Sequence, residues 1–188
     1  MSIAIVFFSG TGTTARVAEA IAKGSGGTLL PIQGSQIIDG RFKDDAFLAK
    51  LDAAKAIVFG AATYMGGPAA QFKAFADATA GRWFGRAWSG KLAGGFTSSG
   101  SPSGDKLGTL QYLATLAMQH GMIWAGQDHI PAWMTGGSPD TGINPLGSHL
   151  GVMARQANQQ GGAISPGDAL TAETYGKRLA ELAAKLAR

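Results

Sequence analysis

Six residues near the start of the chain, Ser9-Gly10-Thr11-Gly12-Thr13-Thr14, carry four hydroxyls and two glycines. They follow a β-rich apolar run, Ile3–Phe8, and precede a helical pattern that starts at Thr13. Glycine lets a backbone approach a ligand closely, and a helix N-terminus offers free N–H groups and a partial positive charge. The chemistry this suits is anion binding. A Walker loop would end in Gly-Lys-Ser/Thr, which is absent here. Gly10-x-Gly12-x-x-Ala15 satisfies the dinucleotide pattern, but the second strand ends Gln33-Gly34 with only Asp39 further on, so the ribose-binding acid is missing. A terminal monophosphate, such as that of FMN, has three free oxygens to satisfy, and four hydroxyls suit it. The competing reading is a plain helix cap, which needs one hydroxyl.

Other reactive types are sparse. The chain has no cysteine, which excludes disulfides, thiolate metal sites, iron–sulfur clusters and cysteine nucleophiles. No Ser-His-Asp order or paired carboxylates stand out. His129 and His149 have no Glu or Cys at ligand spacing, so no metal site is expected. His120 follows a helix and precedes a strand, where an imidazolium is favoured by the helix dipole; ligand contact and a capping or core role are both open. Trp83, in a Gly-rich stretch, reads as functional and Trp124 as packing. Met65, beside glycines and threonine, is a poor core position, whereas Met118 and Met122 read as core.

The elements that must position these residues follow from periodicity. Ile3–Phe8, Thr28–Gln33, Ala56–Gly60, Leu92–Thr97 and Met122–Ala125 read as strands, with Pro31 placing the second at an edge. Helices are expected from Thr13 to Lys23, from Pro68 onward, over Asp105–Gln119 with Leu107, Leu110, Ala114 and Ala117 facing inward, and over Thr171–Ala187 with Tyr175, Leu179, Leu182 and Leu186 inward. The alternation predicts an α/β three-layer sandwich around a parallel sheet. One domain spanning residues 1–188 is expected, with an irregular stretch, 127–168, that is functional or mobile and holds a short helix over Leu146–Ala154. The net charge of +4 favours anionic partners, but the basic residues are scattered, so nucleic-acid binding is not expected. No apolar run is long enough to span a bilayer. With no basic flank before the first apolar stretch, a soluble, cytoplasmic protein is expected.

Ser9–Thr14 resembles the phosphate loop of flavodoxins. Further segments resemble the NAD(P)H:quinone oxidoreductases of the tryptophan-repressor-binding-protein type. These are Ala62-Thr63-Tyr64-Met65-Gly66 with Pro68–Asp77, Trp83–Lys91, Phe96-Thr97-Ser98-Ser99-Gly100, and His120-Gly121-Met122. The resemblance implies a flavodoxin-like fold with five parallel strands in the order 2-1-3-4-5 and FMN at their carboxyl ends. It places Ser9, Gly10, Thr11, Gly12, Thr13 and Thr14 on the phosphate. Thr63, Tyr64, Met65 and Gly66 would lie along the ring, with Tyr64 or Met65 as the packing contact. Thr97, Ser98, Ser99, Gly100 and Gly104 would hold the pyrimidine edge and ribityl chain. Trp83 and His120 would meet the substrate, and His120 the cofactor as well. NADPH or NADH would supply electrons and a quinone-like acceptor would receive them, in a homo-oligomer, dimer or tetramer. A flavodoxin-type electron carrier and an azo or nitro reductase are the alternatives. Arg82 and Arg86 beside Trp83 point toward NADPH.

Overall fold

A computed structural model describes residues 2–186. In chain order the elements are β1 (Ile3–Phe8), α1 (Thr13–Ser25), β2 (Thr28–Pro31), β3 (Ile37–Ile38), β4 (Arg41–Phe42), α2 (Asp45–Ala53), β5 (Ala56–Tyr64), β6 (Gly67–Pro68), α3 (Ala70–Ala78), α4 (Ala80–Phe84), β7 (Leu92–Ser99), α5 (Lys106–Gln119), β8 (Ile123–Trp124), β9 (Val152–Arg155) and α6 (Pro166–Leu186).

The main sheet runs β2-β1-β5-β7-β8, with β9 also paired to β7. All of these pairings are parallel. The expected order 2-1-3-4-5 is therefore present, and its fifth place is shared. β8 pairs with Leu92 and Ala93 at the start of β7, and β9 pairs with Phe96–Ser99 at its end. Part of the irregular stretch thus returns to the sheet as β9, where a helix over Leu146–Ala154 was expected. Val152 and Ala154 alternate inward against the sheet, a period of two that a helix does not satisfy.

Both sheet faces are covered, which is why β1 and β5 are apolar without alternation. Ile3, Ile5 and Phe7 pack with Val17, Ile21, Tyr175 and Leu179 of α1 and α6. Ala4 and Val6 pack with Phe72, Phe75, Trp88, Leu110 and Leu113 on the other side. Each buried aromatic or Leu-sized side chain contributes about 1.5–3 kcal/mol.

Several boundaries differ from the sequence reading. Pro68 does not open a helix. It closes a hairpin, pairing with Thr63 while Gly67 pairs with Tyr64, and α3 starts two residues later. The two residues between, Met65 (φ 49°) and Gly66 (φ 82°), are both left-handed, as a two-residue hairpin turn requires. Leu107, Met118 and Leu186, expected to face inward, are exposed. Leu107 sits in the first turn of α5, at the mouth of a cleft described below. The helix expected to reach Ala187 is seen to Leu186, and Ala187 lies outside the described residues.

Candidate functional site

Three loops converge at the carboxyl ends of β1, β5 and β7. Loop one, residues 9–12, leads into α1. Gly12 takes the N-cap position with φ 89° and has no side chain to cap the helix. Ser9 does this instead: the Ala15 N–H donates to Ser9 Oγ at 3.1 Å. The Arg16 N–H donates to the Gly12 carbonyl. The N–H groups of Thr13 and Thr14 are left to face an anion, and no acidic residue lies in the first turn to repel one.

The four hydroxyls of loop one are not equivalent. Thr13 Oγ1 accepts from the Gly162 N–H at 3.2 Å. Ser9 and Thr13 act here as acceptors, so each keeps its own hydrogen for an anion. Thr14 is 1% exposed and shares a 2.8 Å hydrogen bond with Ser98 Oγ, so it ties loop one to the end of β7. Thr11 is the hydroxyl most open to solvent. The anion reading thus rests on N–H groups and fewer hydroxyls than the sequence offered.

Loop two is the Tyr64–Gly67 hairpin. Tyr64 is half-exposed and its hydroxyl lies over Gly10, where a Cβ would stand 2.4 Å from the oxygen. Met65 projects fully into solvent. Thr63 faces the opposite way, into a buried hydroxyl chain. Thr97 Oγ1 donates to the Ala61 carbonyl at 2.6 Å, and Thr63 bonds Thr97 and Thr109, each at 2.7 Å. With one hydrogen per hydroxyl, Thr63 must donate to Thr97 and Thr109 to Thr63. The side chains of Thr63, Thr97 and Thr14 therefore hold the loops together; their ligand contacts would be through backbone.

Loop three, residues 99–105, is wrapped around a lysine. Lys106 is fully buried and its ammonium donates to Ser99 Oγ (2.9 Å), the Ser101 carbonyl (2.7 Å) and the Pro102 carbonyl (2.9 Å). Gly104 (φ 52°) leaves no room for a side chain, since a Cβ would meet Ser99 Oγ at 2.0 Å. Burial pushes the lysine down to about 8, partly offset by the charge of Asp168. Between loops two and three a cleft of about 580 Å³ is lined by Gly66, Pro102, Ser103, Leu107 and Met153, among others.

Gly161 and Gly162 cover loop one from the irregular stretch, with Arg16 Nε donating to the Gly162 carbonyl at 3.2 Å. The sequence reading missed both glycines and Lys106. The adjacent pair Gly161-Gly162 was the signal available for one. A lysine opening a helix has no such signature, because nothing local marks its burial.

Trp83 and His120 do not join these loops within the chain. α3 and α5 run back along the sheet, so their C-terminal ends lie at the opposite edge. His120 is the C-cap of α5, beside the start of β7. Leu92 to Ser99 spans about 23 Å at roughly 3.3 Å per residue. The ring stacks on Trp88 with centroids 4.5 Å apart, and Nε2 bonds Thr79 Oγ1 at 2.9 Å. Burial lowers its pKa. This arrangement gives His120 a packing role. Trp83 is in α4, next to Arg82, which contacts Asp52 at the end of α2. Both residues line a separate groove of about 310 Å³.

This arrangement matches known proteins along its length. The family model described as NADPH-dependent FMN reductase matches residues 9–132, from loop one through loops two and three. The chain belongs to that family. The chain is 42% identical to "Flavodoxin FldP" of Pseudomonas aeruginosa, over 97% of this chain and 96% of that protein. It is 32% identical to a "NAD(P)H dehydrogenase (quinone)" of Geobacter metallireducens, over 99% of each. A solved WrbA-like flavodoxin from Agrobacterium tumefaciens is 41% identical and superposes with a TM-score of 0.76, covering 98% of both chains. The fold is flavodoxin-like. Among the described residues, no helix is long and apolar enough to cross a membrane, and no group of three or more potential metal ligands is found.

Proposed function

We propose that this chain is an FMN-dependent oxidoreductase that passes two electrons from NAD(P)H to a quinone or a similar flat acceptor. The observation that carries the reading is the convergence of loops one, two and three around the N-terminus of α1, where Ser9 caps the Ala15 N–H and the N–H groups of Thr13 and Thr14 stay open. That terminus, with the Thr13 and Thr14 N–H groups, fits the phosphate of FMN. Bound FMN would supply the ability to accept a hydride and release an electron pair, and the protein supplies binding and orientation. In this reading Ser9–Thr14 hold the phosphate. Tyr64, Met65 and Gly66 form the wall nearest the ring. Ser99, Gly100 and Gly104 bring backbone groups to its polar edge, and the 580 Å³ cleft admits the flat partners.

The quinone acceptor is supported by the printed names of relatives such as that of G. metallireducens. We place the chain in the cytoplasm as a single working domain. We also propose a homo-oligomer, because Trp83 and Phe84 are exposed side by side, far from the chain's own loops. A tetramer would let a second copy present Trp83 at the cleft. Steady-state kinetics with NADPH and benzoquinone test the reading. One pocket used in turn gives parallel double-reciprocal lines, and intersecting lines would oppose it.

A second reading, an electron carrier without its own NAD(P)H activity, is favoured by the name of the P. aeruginosa relative. The net charge of +4 speaks against docking on basic partners.

A further inference from the structure

We propose that Lys106 is a positioning residue for the flavin. Its buried ammonium gathers the Ser99 hydroxyl and the Ser101 and Pro102 carbonyls onto one point, and so shapes loop three and keeps a positive charge behind it. This rests on the reading that the three loops bind FMN.

The geometry is specific. An ammonium has three donors, and all three are used within one loop. Ser99 Oγ, having accepted from Lys106, donates to the Ser101 carbonyl at 3.1 Å, which closes the network. A trans peptide sets its N–H opposite its carbonyl. Turning the Pro102 carbonyl inward therefore turns the Ser103 N–H outward, and Pro102 and Ser103 line the cleft. The loop presents the Ser103 N–H outward because the lysine takes the Pro102 carbonyl inward; the Ser101 carbonyl precedes a proline, which has no N–H to turn out. Polar edges of a flavin ring that accept hydrogen bonds, and a ligand that is anionic overall, both fit such a wall.

The charge has few competitors. The groups that face it are Asp168 at the start of α6, Arg155 at the end of β9 and the adjacent Asp105. Asp168 Oδ2 accepts from the Arg155 N–H, and its Oδ1 is buried without a partner. No carboxylate makes a salt bridge with Lys106 among the described residues. Asp168 and Asp105 offset part of its field and Arg155 adds to it, and the remainder is available to a ligand in the low-dielectric site. Because burial holds the lysine at about 8, the charge disappears in an accessible range.

The test is titration of the apoprotein with FMN, followed by flavin fluorescence, at about pH 7 and about pH 9. Three proteins are compared: the natural chain, Lys106→Met and Lys106→Arg. Lys106→Met keeps the length and apolar body of the side chain, and should weaken FMN binding about tenfold or more at the lower pH. Lys106→Arg should retain affinity to within about threefold. The natural chain should lose affinity several-fold between the two pH values, and Lys106→Met should be flat. A merely structural lysine would not produce that pH limb. Binding by Lys106→Met within twofold of the natural chain, with the same pH profile, overturns the proposal. If Lys106→Met does not fold, the natural chain decides, and a flat profile through pH 8 overturns it. A natural chain that binds no FMN at either pH overturns the functional reading itself, a different result from a Lys106→Met variant that binds normally.

Discussion

Gly10 is kept small by Tyr64. A methyl there would collide with the tyrosine hydroxyl but stand 3.4 Å from the ring carbon that bears it. Gly10→Ala should weaken FMN binding and lower stability by about 1–3 kcal/mol, the usual cost of overpacking. Gly10→Ala with Tyr64→Phe should recover most of both, since only the oxygen is in the way. FMN titration and thermal melting of the natural chain and the two variants check this, and a double variant no better than Gly10→Ala would refute the contact. Thr63→Val should cost about 1–3 kcal/mol in denaturant unfolding, because it leaves the buried Thr109 hydroxyl without its acceptor. At this scale loop one was legible, because glycines and hydroxyls between a strand and a helix carry their meaning locally. The inward turn of Thr63 and Thr97 was not, since hydroxyls one residue apart along a strand face opposite sides of the sheet and the sequence does not say which is buried.

Among the elements, the hairpin of β5 and β6 carries local backbone strain. Met65 adopts φ 49°, a region that costs a non-glycine residue about 1–2 kcal/mol, although asparagine enters it readily. Met65→Asn should therefore raise the melting temperature slightly, by up to about 1 kcal/mol of stability. If Met65 packs on the ring, the same substitution weakens FMN binding, and opposite changes in stability and affinity would identify a residue kept for function. Unchanged affinity would leave Tyr64 as the ring contact. The strands β1, β5 and β7 were readable from their apolar runs, because burial on both faces removes ambiguity. Pro68 misled because proline suits a first helical turn and a hairpin exit equally. β9 was hidden because only four residues, Val152–Arg155, pair with the sheet, too few to show a period within a Gly- and Ser-rich stretch.

For the whole molecule, His120 sets the pH dependence of stability on the mildly acidic side of neutrality. Its pKa is lowered by burial, so the unfolded chain binds a proton more readily than the folded one. The His120 contribution is then full above the ordinary value of 6.5 and is lost as pH drops below it toward the folded value. Melting curves taken from neutral to mildly acidic pH should show this decline, and His120→Gln should flatten it. A decline unchanged in His120→Gln would assign it to other groups. The alternation of strands and helices made a parallel sheet covered on both faces legible, while the order of its strands came from the resemblance to the flavodoxin family. The distance between His120 and the three loops was not legible, because motif order along the chain says nothing about which end of the sheet each reaches. Three loops at the carboxyl ends of parallel strands, and an exposed Trp83–Phe84 pair at the other edge, are the arrangement from which the reductase reading is drawn.

The most direct test of that reading is anaerobic rapid mixing of the FMN-loaded protein with NADPH and no other protein present. The reductase account predicts that the visible flavin absorbance bleaches within a catalytic turnover time and returns on adding benzoquinone. Flavin that stays oxidised until a separate reductase is supplied would contradict it and mark the chain as an electron carrier.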